Sequence, residues 1–285
     1  LLGGILDVGE ITRMVHGAGA RVVVDGVAYA PRRAMDGAAW DVDVYAYSTY
    51  KVYGPHMGAM WASQETLAEL EGPNHFFIPV DELPYTFELG GVSHEGCAGI
   101  LGLRDYLAGL AGVAEPYSLD REAVERAFDL MTACELPLQH RLVEHLRSRD
   151  DVRIVGPDHG GPSRVGTVSF VHAERSSREI TEVVDGSGVA IRHGHMYAYH
   201  LCQALGFDPE DGVAVGGVDW DPTGPCDAPE AGSVGREVVV GSTAGLFGGL
   251  STGEVCDPAA LLDALEAVPA VAEAWGLVHG IPVES

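Results

Sequence analysis

Three short apolar runs constrain what the first half of this chain can become: RVVVD at 21–25, DVDVYAY at 41–47 and GAMWA at 58–62. Continuous rather than alternating hydrophobicity over so few residues predicts strands buried on both faces, as in a mostly parallel sheet layered with helices. Ahead of them, residues 7–18 place Val8, Ile11, Met14 and Val15 at helical spacing, with Asp7 as N-cap and Gly17 and Gly19 as the stop. Helix, buried strand, connection and buried strand together predict an α/β layer.

Residues 71–92 are rich in Pro and Gly and read as loop. Ser93 is placed to cap a helix over about 94–112, and the amphipathic stretch 117–149 predicts one long helix. After Gly156-Pro157 the texture shortens: strand RVGTVSFVH, helix SSREITEVV, strand GVAIR and helix MYAYHLCQALG. These predict a smaller α/β domain. We expect a first domain over 1–115 and a second over 116–285, the latter including the long linking helix and an irregular, turn-rich insertion at about 206–235. VVVGS at 238–242 reads as a strand and DPAALLDALEAV at 257–268 as a final helix.

Composition narrows the function classes. Hydrophobic residues make up 46% of the chain, too many for a disordered protein. No stretch approaches the roughly 20 apolar residues of a membrane span. With 17 basic against 42 acidic residues the formal charge is −25, which repels phosphate backbones, so neither nucleic acid nor membrane is an expected partner. The five cysteines are scattered without a CxxC pair, which argues against a disulfide framework or zinc ribbon and suits a reducing cytoplasm. The chain opens Leu-Leu-Gly-Gly-Ile-Leu, without an initiator Met or the basic start of a signal peptide, and reads as though entered partway through a fold.

Of the 17 basic residues 16 are Arg, and Lys51 is the only lysine. Asp25 ends one strand candidate and Lys51 lies just past the end of the next. In a parallel sheet both ends fall on one rim, where α/β proteins place ligands. A carboxylate and a lysine there have two readings. One is a salt bridge closing the sheet edge. The other is a pyridoxal phosphate site, with the lysine amine forming a Schiff base and the carboxylate holding a proton on the pyridine nitrogen.

The segment SerThrTyrLys followed by ValTyrGlyProHisMetGly (48–58) resembles the cofactor-lysine segment of the class V aminotransferase and cysteine desulfurase family. VVVDGVAYAP (22–31) resembles that family's aspartate segment, and PNHFFIP (73–79), FELGGVSHEG (87–96) and GVAIRHGHMYAY (188–199) recur in the same order in its desulfurase-like branch. The resemblance implies part of a fold type I large domain followed by a smaller C-terminal α/β domain. It implies pyridoxal 5'-phosphate as cofactor and an amino acid as substrate, handled by lyase, transaminase or related chemistry. It also implies a homodimer whose pockets form at a two-fold interface crossed by the FELGG segment.

Carried over by residue, the resemblance makes Lys51 the Schiff-base lysine, Asp25 the pyridinium partner and Ser48 a phosphate ligand, with a plain turn cap as the alternative for Ser48. Tyr50 stands where many relatives have His, and packing would explain it equally. Arg192 matches an arginine near the substrate carboxylate, against the alternative of a surface ion pair. Several positions depart from the pattern. Tyr197 occupies the place of the persulfide-forming cysteine, and Cys202 reads as a structural thiol. Ala28 stands where relatives bond the ring hydroxyl, and Gly91 where they carry a Thr. The stretch GVAVGGV lacks the second carboxylate-binding arginine, for which Arg236 is the nearest substitute. The phosphate loop and the ring-stacking aromatic of the family lie upstream of the point where this sequence starts. A persulfide desulfurase is therefore not expected. The other classes left are a degenerate, non-catalytic homologue and an acidic binding protein. A loose calcium-loop match at 219–230 and the trio His193, His195 and His200 do not complete a metal-ligand spacing.

Overall fold

A computed structural model describes residues 1–88, 90–115, 118–185, 191–219 and 239–240. The chain divides into one unit of Leu6–Leu130 and a second of Leu1–Ile5 with Met131–Ser285. The division falls inside the long helix, between Leu130 and Met131. The start of that helix is tied to the first unit, where Arg121 donates to the Met35 carbonyl at 2.6 Å and pairs with Asp36 at 3.4 Å.

In the first unit, α1 (Val8–Gly17) begins where Asp7 accepts the Glu10 N–H at 2.9 Å. It is followed by β1 (Val23–Asp25), β2 (Val44–Ser48), a 3-10 turn (Thr49–Lys51) and β3 (Gly58–Ala62). Then come α2 (Gln64–Glu69) and α3 (His94–Leu110), the latter capped by Ser93 accepting from Gly96. The sheet order is β1-β2-β3. β1 runs parallel to β2 with Asp25 opposite Ala46. β3 runs antiparallel, with Met60 opposite Ala46 and Gly58 opposite Ser48. The sheet is thus mixed, and the parallel expectation holds for its first pair. Residues 49–57 are too few for the crossover that a parallel third strand requires.

Cross-strand partners share a face. Val24, Tyr45 and Trp61 point to one side, into a core with Val22, Val42, Val52, Trp40 and the α1 residues Val8 and Val15. Val23, Asp25, Ala46 and Met60 point to the other, where Val23 is 71% and Met60 51% exposed. Burial on both faces, expected from the apolar runs, is therefore wrong for β1 and β3. A run of valines records what a strand can bury, while burial itself depends on what packs over it.

Asp43, just before β2, is buried in this unit, as is Arg32. Its carboxylate accepts from His16 Nε2 at 2.9 Å, Arg21 at 2.8 Å, the Val22 N–H at 2.6 Å and the Thr66 hydroxyl at 3.3 Å. Arg21 also pairs with Glu69. The network ties α1, β1 and α2 to the strand that carries the site. Burial pushes the Asp43 carboxyl up, but the hydrogen bonds from His16, Val22 and Arg21 outweigh it and bring it down to about 2.

The second unit contains the body of α4 (Arg121–Arg147), then β4 (Val152–Val155), β5 (Thr167–His172), α5 (Ser177–Asp185), β6 (Arg192–Gly194), α6 (Tyr199–Ala204), β7 (Val213–Asp219) and β8 (Val239–Val240). Its strands pair antiparallel in the order β4-β5-β7-β6, with β8 on β7. Leu142, Val143 and Leu146 of α4 pack with Val168 and Phe170 of β5, Ile180 and Val184 of α5 and Ala214 of β7. The first residues join this unit: Val165 donates to the Gly3 carbonyl, and Ser169 to that of Leu1. β7 occupies part of the stretch expected to be irregular. Its small residues Val213, Ala214 and Val215 are buried between β5 and β6, and pairing on both sides supplies what local composition does not. The calcium-like loop beyond Asp219, Arg236 and the helix expected at 257–268 lie outside the described residues. Among the described residues no helix is long and apolar enough to cross a membrane.

The Asp43 network predicts a stability profile. The Asp43 carboxyl sits below its ordinary 3.8, so its contribution is present above about pH 4 and is lost as pH falls toward 2. His16 is raised above its ordinary 6.5 by the hydrogen bond to Asp43, so its contribution is present below that value and is lost as pH rises past the raised one. Urea midpoints measured across pH should therefore be highest between about pH 4 and 6.5 relative to Asp43→Ala. That variant should cost about 2 kcal/mol at pH 6.

Candidate functional site

The site is built on the open face of the first unit's sheet, at the rim where β1 and β2 end. β1 stops at Asp25, and the chain turns because the Gly26 N–H donates to the Ala46 carbonyl at 2.8 Å while Tyr29 and Ala30 donate back to Gly26. Position 26 admits no side chain: a Cβ there would stand 1.9 Å from Cζ of Tyr45. Tyr45 is fully buried, its hydroxyl 3.4 Å from the Gly26 carbonyl, and burial pushes its phenol up. The ring thus props the turn that presents Asp25. Asp25 itself is exposed, and one carboxylate oxygen accepts the Val27 N–H at 3.0 Å.

On the neighbouring strand, β2 leads through Ser48 into the turn that carries Lys51. Thr49 organises that turn. It is 2% exposed, its hydroxyl lies 3.1 Å from the Met57 carbonyl and 2.5 Å from that of Pro55, and its N–H donates to Met57 at 2.9 Å. Its carbonyl accepts from Val52 at 2.9 Å and Gly54 at 3.0 Å. Val52, 5% exposed, anchors the other side of Lys51 in the core. Lys51 is half-buried, and its Nζ stands 5.9 Å from the centre of the Tyr50 ring. Tyr50 in turn stacks on His56, with centroids 4.8 Å apart and planes at 16°.

A cavity of about 680 Å³ opens over this face. Asp25, Ala46, Ser48, Gly58 and Met60 form its floor, and Leu83, Phe87 and Glu88 close one side. Asp25 and Ser48 therefore share one cavity. Lys51, three residues past Ser48, is not part of its lining. The Ser48 hydroxyl makes no capping bond to the turn, so the plain turn-cap alternative is not realised. The salt-bridge alternative is not realised either: among the described residues, Asp25 and Lys51 form no ion pair with each other. Gly58, opposite Ser48, has open space where a Cβ would point. An acceptor-only carboxylate, a free hydroxyl and the open space at Gly58 suit a small ligand that donates a hydrogen bond to Asp25 and accepts one from Ser48.

The remaining positions lie elsewhere. Arg192 is the first residue of β6 in the second unit, opposite Val215. Tyr197 is 98% exposed at a φ of 65°, and its N–H donates to His195 Nδ1 at 3.1 Å. Cys202 is fully buried, and burial pushes its thiol up, as befits a structural cysteine. Ala28 and Gly91 are exposed. Thr49, Tyr45 and Asp43 were not singled out from sequence. The signal available for Thr49 was its place inside the STYK segment, and for Asp43 a charge set between two valines.

A family model described as Aminotransferase class-V matches residues 1–214. An aminotransferase-like protein of Gibberella zeae is 35% identical over 216 residues, which cover 75% of this chain and 50% of that protein. A probable cysteine desulfurase of Chlamydia muridarum is 30% identical over 204 residues, covering 68% and 46%. The fold is similar to that of a cysteine desulfurase from Escherichia coli, with a TM-score of 0.61 and 21% identity over 97% of this chain and 57% of that one. The chain spans about half the length of the curated relatives it matches.

If Thr49 holds the lysine turn, Thr49→Val should cost about 1–2 kcal/mol in urea unfolding. Amide exchange at Val52 and Gly54 should then quicken at least tenfold while the α4 core stays protected. Unchanged exchange at both amides would show that the turn holds without the hydroxyl.

Proposed function

The chain belongs to the aminotransferase class-V family, and on that premise we propose that it is the lysine-bearing part of a pyridoxal-phosphate-dependent enzyme acting on an amino acid. The observation that carries this reading is the shared cavity of Asp25 and Ser48, with the chain's only lysine on a clasped turn next to it. Asp25 and Ser48 fit the group by their chemistry, and the open space at Gly58 leaves room for it. When bound, pyridoxal phosphate supplies an aldehyde and an electron-withdrawing ring that stabilises negative charge at a substrate's α-carbon.

The chain's own residues supply the rest. In this reading the Asp25 carboxylate holds a proton at the pyridine nitrogen, and the Ser48 hydroxyl donates to the phosphate. The Lys51 amine is the nucleophile and afterwards carries protons at the substrate α-carbon. Arg192 is assigned to the substrate carboxylate by its sequence match alone.

Relatives bearing the name cysteine desulfurase raise the question of sulfur transfer. The reading here is that none occurs through the loop position. Persulfide chemistry needs a thiolate nucleophile, and Tyr197 offers a phenol, while Cys202 is buried. Sulfide release from cysteine that disappears in Cys202→Ala would overturn this.

We also propose a homodimer in which residues 71–96 cross the interface. This segment exposes Phe76 at 100%, Val80 at 84%, Phe77 at 65% and Tyr85 at 52%, more apolar surface than a loop carries without a partner. Sedimentation at micromolar concentration should give twice the 30.0 kDa chain mass. The double variant Phe76→Ser, Phe77→Ser should shift it to monomer, and a monomeric wild type would contradict the proposal. Cys97 and Cys202 carry free thiols, whereas Cys134 is disulfide-bonded, which runs against the reducing cytoplasm expected from the scattered cysteines.

The enzyme reading is tested by incubating the protein with pyridoxal phosphate, reducing with borohydride and mapping peptides by mass. One pyridoxyl group should appear on Lys51 and none in Lys51→Arg. Asp25→Ala should weaken labelling at least tenfold at limiting cofactor. Label confined to the N-terminal amine, or none, would refute it.

A further inference from the structure

We infer that Tyr50, backed by His56, is a positioning residue that holds the charged form of Lys51 against its ring and lets the neutral amine go. The inference rests on the reading of Lys51 as the reacting amine. Its starting point is geometric. The Lys51 Nζ lies 5.9 Å from the Tyr50 ring centre, within the roughly 6 Å at which an ammonium is attracted to a π face. Among the described residues no carboxylate pairs with this ammonium, so the ring is its electrostatic contact.

The ring is held in place from two directions. Its backbone follows Thr49, which is buried and bound at four points of the turn. Its π system lies on the imidazole of His56, 4.8 Å away and 16° from parallel. His56 sits between Pro55 and Met57, whose carbonyls Thr49 holds. One clasp therefore holds the loop that carries both rings of the stack, and the Lys51 Nζ stands over the Tyr50 ring.

The chemistry is selective for charge. A π face attracts an ammonium through the ring quadrupole, and a neutral amine gains little from it. The form that condenses with an aldehyde is the neutral one. Loss of a proton from Nζ to solvent therefore removes the contact with the Tyr50 ring, and the amine becomes free to move. Tyr50 parks Lys51 until it is chemically competent. The phenol oxygen has no part in this; the ring face does the holding.

Because Lys51 is the only lysine, its reactivity can be read without a cofactor. The protein is treated with limiting acetic anhydride at fixed pH near 8, and acetylation at Lys51 is followed by peptide mass, apart from the N-terminal amine. Tyr50→Leu should acetylate about two- to fivefold faster than wild type. Tyr50→Phe, which keeps the ring face, should match wild type. Tyr50→Trp, with the stronger π face, should be slower. His56→Ala should move in the direction of Tyr50→Leu.

Equal rates in Tyr50→Leu and wild type would overturn the inference, as would Tyr50→Phe behaving like Tyr50→Leu. If Tyr50→Leu fails to fold, the Phe and Trp variants decide: a Trp variant no slower than Phe contradicts the holding role. The assay also separates this inference from the enzyme reading. The expected order of acetylation rates without any pyridoxyl label at Lys51 would leave the charge contact standing and refute the enzyme. A pyridoxyl label at Lys51 with unaltered acetylation rates would do the reverse.

Discussion

The register of β1 on β2 is the constraint on which the site depends. Asp25 lies opposite Ala46, and the pairing is locked one residue later by the Gly26 N–H on the Ala46 carbonyl. Side chains alternate faces along a strand, so a slip of one residue would turn Asp25 toward Tyr45 and Trp61. That would bury an unpaired carboxylate among aromatic rings, at a cost far above that of a surface rearrangement. The hydrophobic side of the sheet thus selects the register, and the register selects the face from which Asp25 and Ser48 emerge. The absence of a side chain at Gly26 is part of the same device, because Tyr45 occupies the space.

From this follows a division of labour between the two faces. One is filled by Val24, Tyr45 and Trp61 with α1 and the aromatic residues around Trp40, and contributes packing. The other packs little, carries Asp25 and Ser48 beside Ala46 and Met60, and floors the cavity. Asp43 belongs to the first category although it is charged. With four donors from three directions it fastens α1, β1 and α2 around the strand that leads to Ser48 and Lys51. The turn beyond is then held by Thr49, so that stability and site geometry trace to residues that touch no ligand.

Much of this was legible in the sequence. The strand ends at Asp25 and just before Lys51 place both on one rim, and the ordered segments around them point to the family. The connection between β2 and β3 is too short for a parallel third strand, a constraint that the sequence reading of a mostly parallel sheet passed over. What stayed hidden has a common cause, which is that it depends on neighbours distant in sequence. Val23 reads as a core residue and is exposed because burial is decided by what lies over the sheet. Asp43 reads as an interruption of an apolar run, and its partners come from position 16 to position 66. Thr49 looks like filler in a motif. β7 looks irregular because its small residues gain their order from β5 and β6.

The central claim is that Asp25 and Lys51 serve a single ligand, one at the ring nitrogen and the other at the aldehyde. The most direct measurement is the nitrogen-15 resonance of ring-labelled pyridoxal phosphate bound to the unreduced protein, with borohydride trapping of a second sample to locate it on Lys51. In the wild-type protein the account predicts a protonated pyridine nitrogen at neutral pH, and in Asp25→Ala an unprotonated one with the label still on Lys51. The same protonation state in both proteins would show that the carboxylate does not face the ring, and would contradict the account.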